Sequence, residues 1–414
     1  MRQEKSEVII IGAGPSGAVA AGLLRQAGRA VTILEKAEFP RFCIGESLLP
    51  QSMAFIEAAG MLQDVVEAGF QFKNGAAFAC DAHYAEFDFR DKFTPGWGTT
   101  YQVQRGPFDK VLADAAERLG TEIRYRHEVL AVDLTGAKPV LRVRPEAGEE
   151  YELTGDFLLD ASGYGRVLPR LLDLETPSEL PVRQAIFTHI EDGIARNPEA
   201  TAATFDRNKI LISVHPEATD IWYWLIPFSN GRSSLGVVAR REQFDNRDDK
   251  AQLMARVSEA PNLARLLKYA KWDTPAQRIV GYSANVKTLC GRHFALLGNA
   301  GEFLDPVFSS GVTIAFKSAD LAVKALLKQG AGEVVDWEAE YAAPLMTGVN
   351  AFRAFVNAWY DRRLQDIIFH PNKTAEIERM ISAVLAGYAW DEKNPFVAKA
   401  DRRLASLEAA CSLA

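Results

Sequence analysis

An α/β chain is predicted, with a Rossmann-type dinucleotide-binding domain, an inserted and mostly antiparallel sheet, and a helical C-terminal region. Three observations predict it: a glycine-rich strand–turn–helix–strand unit near the start, alternating apolar and polar runs in the middle, and helical periodicity from about residue 333 onward. At 414 residues the chain exceeds one ordinary core, so intertwined domains are expected. The net charge of −7, from 47 basic and 54 acidic residues with no Lys/Arg run, argues against a nucleic-acid partner. Four cysteines, Cys43, Cys80, Cys290 and Cys411, lie far apart without metal or disulfide spacing, which fits reduced thiols in a cytoplasmic protein. The apolar run after the N-terminus leads directly into a glycine turn, not a signal-peptide pattern, and no apolar stretch is long enough to span a bilayer.

The first element is "EVIIIGAGPSGAVAAGLLRQAGRAVTILEK", which reads as a complete βαβ unit. Val8 to Ile11 are continuously apolar, as in a strand buried on both faces. Gly12 permits a tight turn, Gly14 lets backbone approach a pyrophosphate, and Gly17 lets helix and strand pack closely. The helix N-terminus offers N–H groups to that phosphate. Ala30 to Leu34 form the next strand, and Glu35 follows, twenty-three residues after Gly12, where a carboxylate accepts from ribose hydroxyls. Gly12, Ala13, Gly14, Pro15, Ser16, Gly17, Glu35 and Lys36 are therefore expected cofactor contacts, for FAD or NAD.

In the middle, "HYAEFDF", "RQAIFTHI", "KILISVH" and "SSLGVVAR" alternate like strands of a substrate-side sheet. In "WYWLIP", alternation sends Trp222 and Trp224 to one face and Tyr223 and Leu225 to the other, and Pro227 ends the strand. Two helices meet near Pro261. No two of the six histidines stand at metal-ligand spacing; His189, on a sheet strand, is kept as a site candidate. Toward the end, Phe352, Phe355, Val356 and Trp359 recur at helical spacing, a stripe expected to pack on the dinucleotide domain.

Two further segments carry a resemblance. "FLLDASGYGR" and "FALLGNAGEFLDPVFSSGVTIAFKSA", in order after the βαβ unit, resemble the flavoprotein monooxygenase superfamily with the p-hydroxybenzoate-hydroxylase type of FAD fold, over about residues 5 to 325. The resemblance implies FAD, with Asp160, Ala161, Gly298, Asn299, Pro306 and Val312 among its contacts and Asn299 near the ribityl chain. Such proteins carry Asp where this chain has Asn299; an amide oxygen still accepts a hydrogen bond but brings no charge, so weaker FAD retention is expected. "YQVQRGPFDK" resembles the family's flavin-contacting arginine segment through Arg105, and "RFCIGESLLP" its ring-side loop through Arg41, Glu46 and Ser47.

Within that superfamily, Trp222, Trp224, Ile226 and Pro227 match the Trp-x-Trp-x-Ile-Pro signature of flavin-dependent halogenases. Lys73 in "GFQFKNG" resembles the lysine those enzymes hold away from the flavin, and "DPVFSSGV" their halide loop, with Ser310 and Gly311 as the halide site. The resemblance implies that reduced FAD, oxygen and chloride or bromide give hypohalous acid, which travels to Lys73 beside an electron-rich aromatic. It also implies a separate flavin reductase and a phenol- or pyrrole-like substrate, free or tethered to an acyl carrier protein. Phe308 stands where tryptophan halogenases have Glu, against free tryptophan as substrate, and is assigned with Trp222, Trp224, Ile226 and Pro227 to the substrate channel. Physically, backbone N–H groups can nest an anion, and a buried lysine loses affinity for its proton.

The readings left open are an exposed strand lysine for Lys73, plain sheet core for the tryptophans, a flavin hydroxylase or geranylgeranyl-reductase-like enzyme without halide chemistry, and a non-enzymatic flavin-binding protein. The expected division is residues 1–77, 104–180 and 284–332 for FAD, 78–103 and 181–283 for the substrate sheet, and 333–414 for the helical region.

Overall fold

The computed structural model describes residues 2–41, 43–201, 204–371 and 373–412. Among them the βαβ unit forms as expected. Strand Val8–Ile11 is buried along its length, helix Pro15–Gln26 starts at its proline, and strand Val31–Glu35 ends in the carboxylate. The resulting six-stranded sheet runs, in spatial order, Cys290–Gly291, Phe294–Leu296, Phe157–Asp160, Val8–Ile11, Val31–Glu35 and Glu122–Tyr125. All neighbours are parallel except the first pair. Helices Pro15–Gln26 and Ser310–Gly330 pack together, and their alanines and glycines let them come close to each other and to the sheet.

The second main sheet is the predicted antiparallel one. It runs Gln277–Val280, Arg183–Glu191, Arg232–Arg240, Trp222–Pro227, Lys209–Val214, Gly75–Cys80 and His83–Asp88, with one parallel pair between Lys209–Val214 and Gly75–Cys80. The expected boundary after residue 77 falls inside strand Gly75–Cys80, which pairs with Lys209–Val214 as a unit from Gly75↔Lys209 to Cys80↔Val214. Period-two alternation separates two cores. Trp222, Trp224 and Ile226 join the large central cluster, while Tyr223 and Leu225 join Leu253, Val257 and Leu263 of helices Asp249–Ser258 and Pro261–Leu266 on the other face. Gly236 sits directly opposite Trp224, and a Cβ there would lie 2.2 Å from the indole. Only glycine gives that ring its place.

Helix Ala343–Tyr360 buries Phe352, Phe355, Val356 and Trp359, each such side chain contributing about 2–3 kcal/mol by leaving water. The stripe packs on the dinucleotide domain as expected, through Phe308, and reaches the substrate sheet and the C-terminal region as well. Trp359 meets Phe78 of the substrate sheet and Phe308, Phe355 also meets Phe308, and Phe352 meets Trp390. The C-terminal region thus closes the substrate side. No helix among the described residues is long and apolar enough to cross a membrane.

Candidate active site

A cavity of about 810 Å³ runs from the glycine turn to the tryptophan face of the sheet. At its first end the glycines have separate roles. Gly12 has φ +98°, and a Cβ on it would meet the Ala161 carbonyl oxygen at 2.6 Å; a Cβ on Gly17 would meet the Gly12 carbonyl oxygen at 2.0 Å. Gly14, just before the helix, faces open groove with only the Arg41 guanidinium at 3.5 Å. The buried Arg41 Nε has no hydrogen-bond partner, and the first-turn N–H groups lack intrahelical acceptors. This is a cradle for a diphosphate. The Glu35 carboxylate accepts from Ala13 N at 2.9 Å and Ala37 N at 2.8 Å, and each oxygen keeps a lone pair for a ribose hydroxyl. Lys36 pairs with Glu128 at 2.6 Å at the groove's mouth. The residues fit FAD's adenosine diphosphate half.

Ala13, Gly17, Asp160 and Gly298, all expected contacts, lie behind the groove instead of lining it. Asp160 is a correction: its two oxygens accept from Ser162 N at 2.9 Å and Leu168 N at 2.6 Å, so it builds the turn that carries Ala161 to the groove. Burial raises its pKa, and those hydrogen bonds oppose the rise. Gly298 (φ +52°) donates to Ser318 Oγ at 2.9 Å and packs against Ala315, while its neighbour Asn299 reaches the cavity.

Farther along the cavity, the loop from Ile44 to Leu48 is gripped from two sides. Arg105 Nη1 donates to Ile44 O at 2.6 Å, and its Nε and Nη2 bind both oxygens of Asp109, at 2.7 and 3.1 Å. Burial works against the Arg105 charge, but Asp109, Cys43 and Glu46 more than offset it and hold the pKa above its ordinary value. Asp109, four residues on, escaped sequence reading although i,i+4 spacing on a helix offers that pair. On the other side stands Lys73. Its exposure is 0%, so the exposed-lysine reading is wrong. Strand Gln71–Lys73 pairs with Thr100–Gln102 and points the side chain inward, where Nζ donates to Ser47 Oγ and Leu48 O, each at 2.7 Å. The Phe89 ring lies 5.4 Å from Nζ. Burial lowers the Lys73 pKa from 10.5 to about 7. Lys73 itself does not line the cavity; Ser47 does. Beside it, Glu46 Oε1 lies 2.8 Å from Nε2 of His189, the histidine kept from the sequence.

The far wall is the tryptophan face: Trp222, Trp224 and Ile226, with Ala185, Ile210 and Ile279. Pro227 ends its strand without reaching the cavity. Trp224 Nε1 donates to Ser234 Oγ at 3.0 Å, and Trp222 Nε1 to Tyr360 Oη at 2.9 Å. Tyr360 and Tyr282 donate in turn to Asp305 Oδ2, at 2.9 and 3.2 Å, and the Arg183 guanidinium lies 3.3 Å from the Tyr360 ring centre. Burial raises the Asp305 pKa, with Val307 N–H the strongest opposing contact. Tyr282, Asp305 and Tyr360 were missed; their partners are distant in sequence, and no local spacing marks them.

Asp305 Oδ1 also accepts from Val307 N at 3.0 Å, fixing the turn Pro306–Phe308. Ser309 then takes φ +55°, and helix Ser310–Gly330 begins. Pro306, Ser309, Gly311 and Val312 line the cavity, and a Cβ on Gly311 would lie 3.9 Å from Asn299 Oδ1. Ser310 is buried behind them and could act only through its backbone N–H. Phe308 is a second correction: it is not on the cavity wall, because Phe355 and Trp359 of the C-terminal helix draw it into the core.

Residues 5–291 match the family model described as an FAD binding domain. A 1H-pyrrole-2-carbonyl–peptidyl-carrier-protein brominase of Pseudoalteromonas luteoviolacea is 30% identical over 81% of this chain and 80% of its own. The corresponding chlorinase of Pseudomonas fluorescens is 29% identical over 78% and 76%. Among solved structures, a flavin-dependent brominase superposes with TM-score 0.81 at 27% identity, covering 97% of this chain and 98% of its own. A protein of Cytophaga hutchinsonii named flavoprotein/dehydrogenase superposes at 0.93 with 40% identity over 99% of both chains. With the FAD cradle and the Trp-x-Trp-x-Ile-Pro strand in place, this chain belongs to the flavin-dependent halogenase family of FAD-binding-domain proteins.

Proposed function

We propose that this protein halogenates a neutral, electron-rich aromatic of phenol or pyrrole type, with chloride or bromide as halogen source. The observation that carries the reading is Lys73, a fully buried amine with no carboxylate partner among the described residues, held by Ser47 at the wall of a cavity faced by Trp222, Trp224 and Ile226. Reduced FAD, delivered by a separate flavin reductase, supplies the electrons with which oxygen oxidises halide to hypohalous acid. Gly12, Gly14, Glu35, Arg41 and Asn299 hold the cofactor, and the first-turn N–H groups at Ser310 and Gly311 offer halide a site without a competing carboxylate. The indoles and Ile226 keep water from the ring edge and face the substrate. Lys73, its pKa lowered by burial to about 7, keeps the oxidant as a hydrogen-bonded acid or a haloamine, reached by way of Ser47.

The wall formed by Ala185, Ile210, Ile226, Ile279 and the two indoles carries no charged side chain. A free amino acid would leave its ammonium and carboxylate unpaired there, at a cost of several kcal/mol. A pyrrolyl or phenolic ring carried on a peptidyl-carrier thioester brings neither charge, and the relatives named for such substrates agree with that class. Of the paired arginines Arg362, Arg363, Arg402 and Arg403, weighed as a basic dock for a carrier protein, the first two pair with Asp366 and Asp361.

The test combines the protein with FAD, a flavin reductase, NADH, oxygen, bromide and a phenol probe. Brominated probe that requires bromide, and falls about 10²–10⁴-fold in Lys73→Ala while flavin oxidation continues, is the expected result. Bromination unchanged in Lys73→Ala would remove the lysine from the reading. The second reading is a flavin dehydrogenase, favoured by the 40% identity to the Cytophaga flavoprotein; its mark would be substrate oxidation with no dependence on halide.

A further inference from the structure

Resting on the halogenase reading, we propose that Glu46 and His189 form the proton inlet of the cavity. The chemistry requires one. Converting O2 and X⁻ into HOX and H2O takes two electrons and three protons. Dihydroflavin brings two electrons and two protons, so each hypohalous acid takes one further proton from solvent. Halogenation of ArH by HOX then yields ArX and H2O and needs none.

Few groups at the ring end can carry that proton. Arg105 stays charged against Asp109. Lys73 has no exposed surface, and the enclosed Asp305 is occupied by Val307 N–H, Tyr282 and Tyr360. Glu46 differs. Its side chain is 2% exposed and lines the cavity, and its Oε1 lies 2.8 Å from His189 Nε2. The imidazole stands on strand Arg183–Glu191, outside the cavity lining, with 14% of the side chain exposed. The pair therefore joins a carboxyl on the cavity wall to a partly exposed imidazole outside it.

Both ends are held. Val103 N donates to Glu46 O at 2.8 Å, and the Phe228 ring packs edge-on against the imidazole at 5.2 Å. The charged groups facing the pair are Arg105 with Asp109 and Lys73 behind Ser47 on the loop side, and Arg232 with Asp273 on the sheet side, where Arg232 donates to His189 O at 3.5 Å. In each turnover His189 takes a proton from solvent at one ring nitrogen, releases one to Glu46, and Glu46 releases it into the cavity.

The experiment uses full-length protein loaded with FAD, reduced without oxygen, then mixed with oxygen, bromide and a phenol probe. His189→Gln keeps an amide donor toward Glu46 but cannot relay. It should form brominated probe about 10²-fold more slowly with FAD affinity unchanged, and added imidazole should restore the rate in proportion to its concentration. Independently of flavin, the ring-nitrogen NMR signals of His189 in FAD-free protein should shift in Glu46→Gln, because the Nε2 contact with Oε1 is lost. A His189→Gln protein as fast as wild type, or slow and not restored by imidazole, overturns the proposal, as do His189 ring-nitrogen signals unmoved in Glu46→Gln. Failure of the halogenase reading shows separately, as wild-type protein that reoxidises with bromide present yet brominates nothing; the inlet falls with it.

Discussion

Two buried cations grip opposite ends of one loop, and they solve the same problem differently. Arg105 holds Ile44 and is neutralised by a two-point contact with Asp109; Lys73 holds Leu48 and Ser47 and meets no carboxylate among the described residues. The first is a fixed charge whose burial is offset, so it serves as structure beside the cofactor groove. The second carries its desolvation uncompensated, and its pKa falls from 10.5 to about 7. A neutral amine has two N–H donors, matching Ser47 and Leu48, and a lone pair left for chemistry. Pairing makes a cation permanent, and isolation makes one reactive.

The largest effect should come from breaking the paired side. Asp109→Ala leaves Arg105 as an unpaired buried charge and should lower unfolding free energy by about 3–5 kcal/mol in urea titrations. Lys73→Met should do the opposite at low pH. The unfolded lysine titrates at 10.5 and the folded one at about 7, so between those values the unfolded chain holds a proton the native protein lacks. Wild-type stability should therefore rise with pH across that window, by at most about 1.4 kcal/mol per pH unit, from this group. Lys73→Met removes that rise and should be more stable than wild type at pH 6; equal slopes in the two proteins would deny the lowered pKa. Ser47→Ala takes away one acceptor, leaves a buried donor unpaired at about 1–3 kcal/mol, and should move the Lys73 midpoint further down. Phe89→Leu removes the ring facing the ammonium and should lower the midpoint by about half a unit, visible in the same titration.

The groove was the legible half of the site. Gly12 and Gly17 are forced by φ and by backbone contacts that any Cβ would violate, so the residue type itself carries the geometry. The tryptophan face was legible too, because period two fixes which side each indole takes. What the sequence hid depends on chain segments far apart. Lysine is usually exposed, and nothing near Lys73 announces that Leu48 and Phe89 will enclose it. The partners Glu46 and His189 are 143 residues apart. Phe308 sits in the motif where a channel residue was expected, yet a helix some fifty residues later draws it into the core.

The most direct measurement is an NMR titration of lysine side chains labelled at Cε, with Lys73 identified by the signal lost in Lys73→Met. A midpoint near 7 is the predicted result and makes Lys73 the reactive amine of the cavity. A midpoint at the ordinary 10.5 would show an ammonium that stays charged like Arg105, and would contradict the account at its centre.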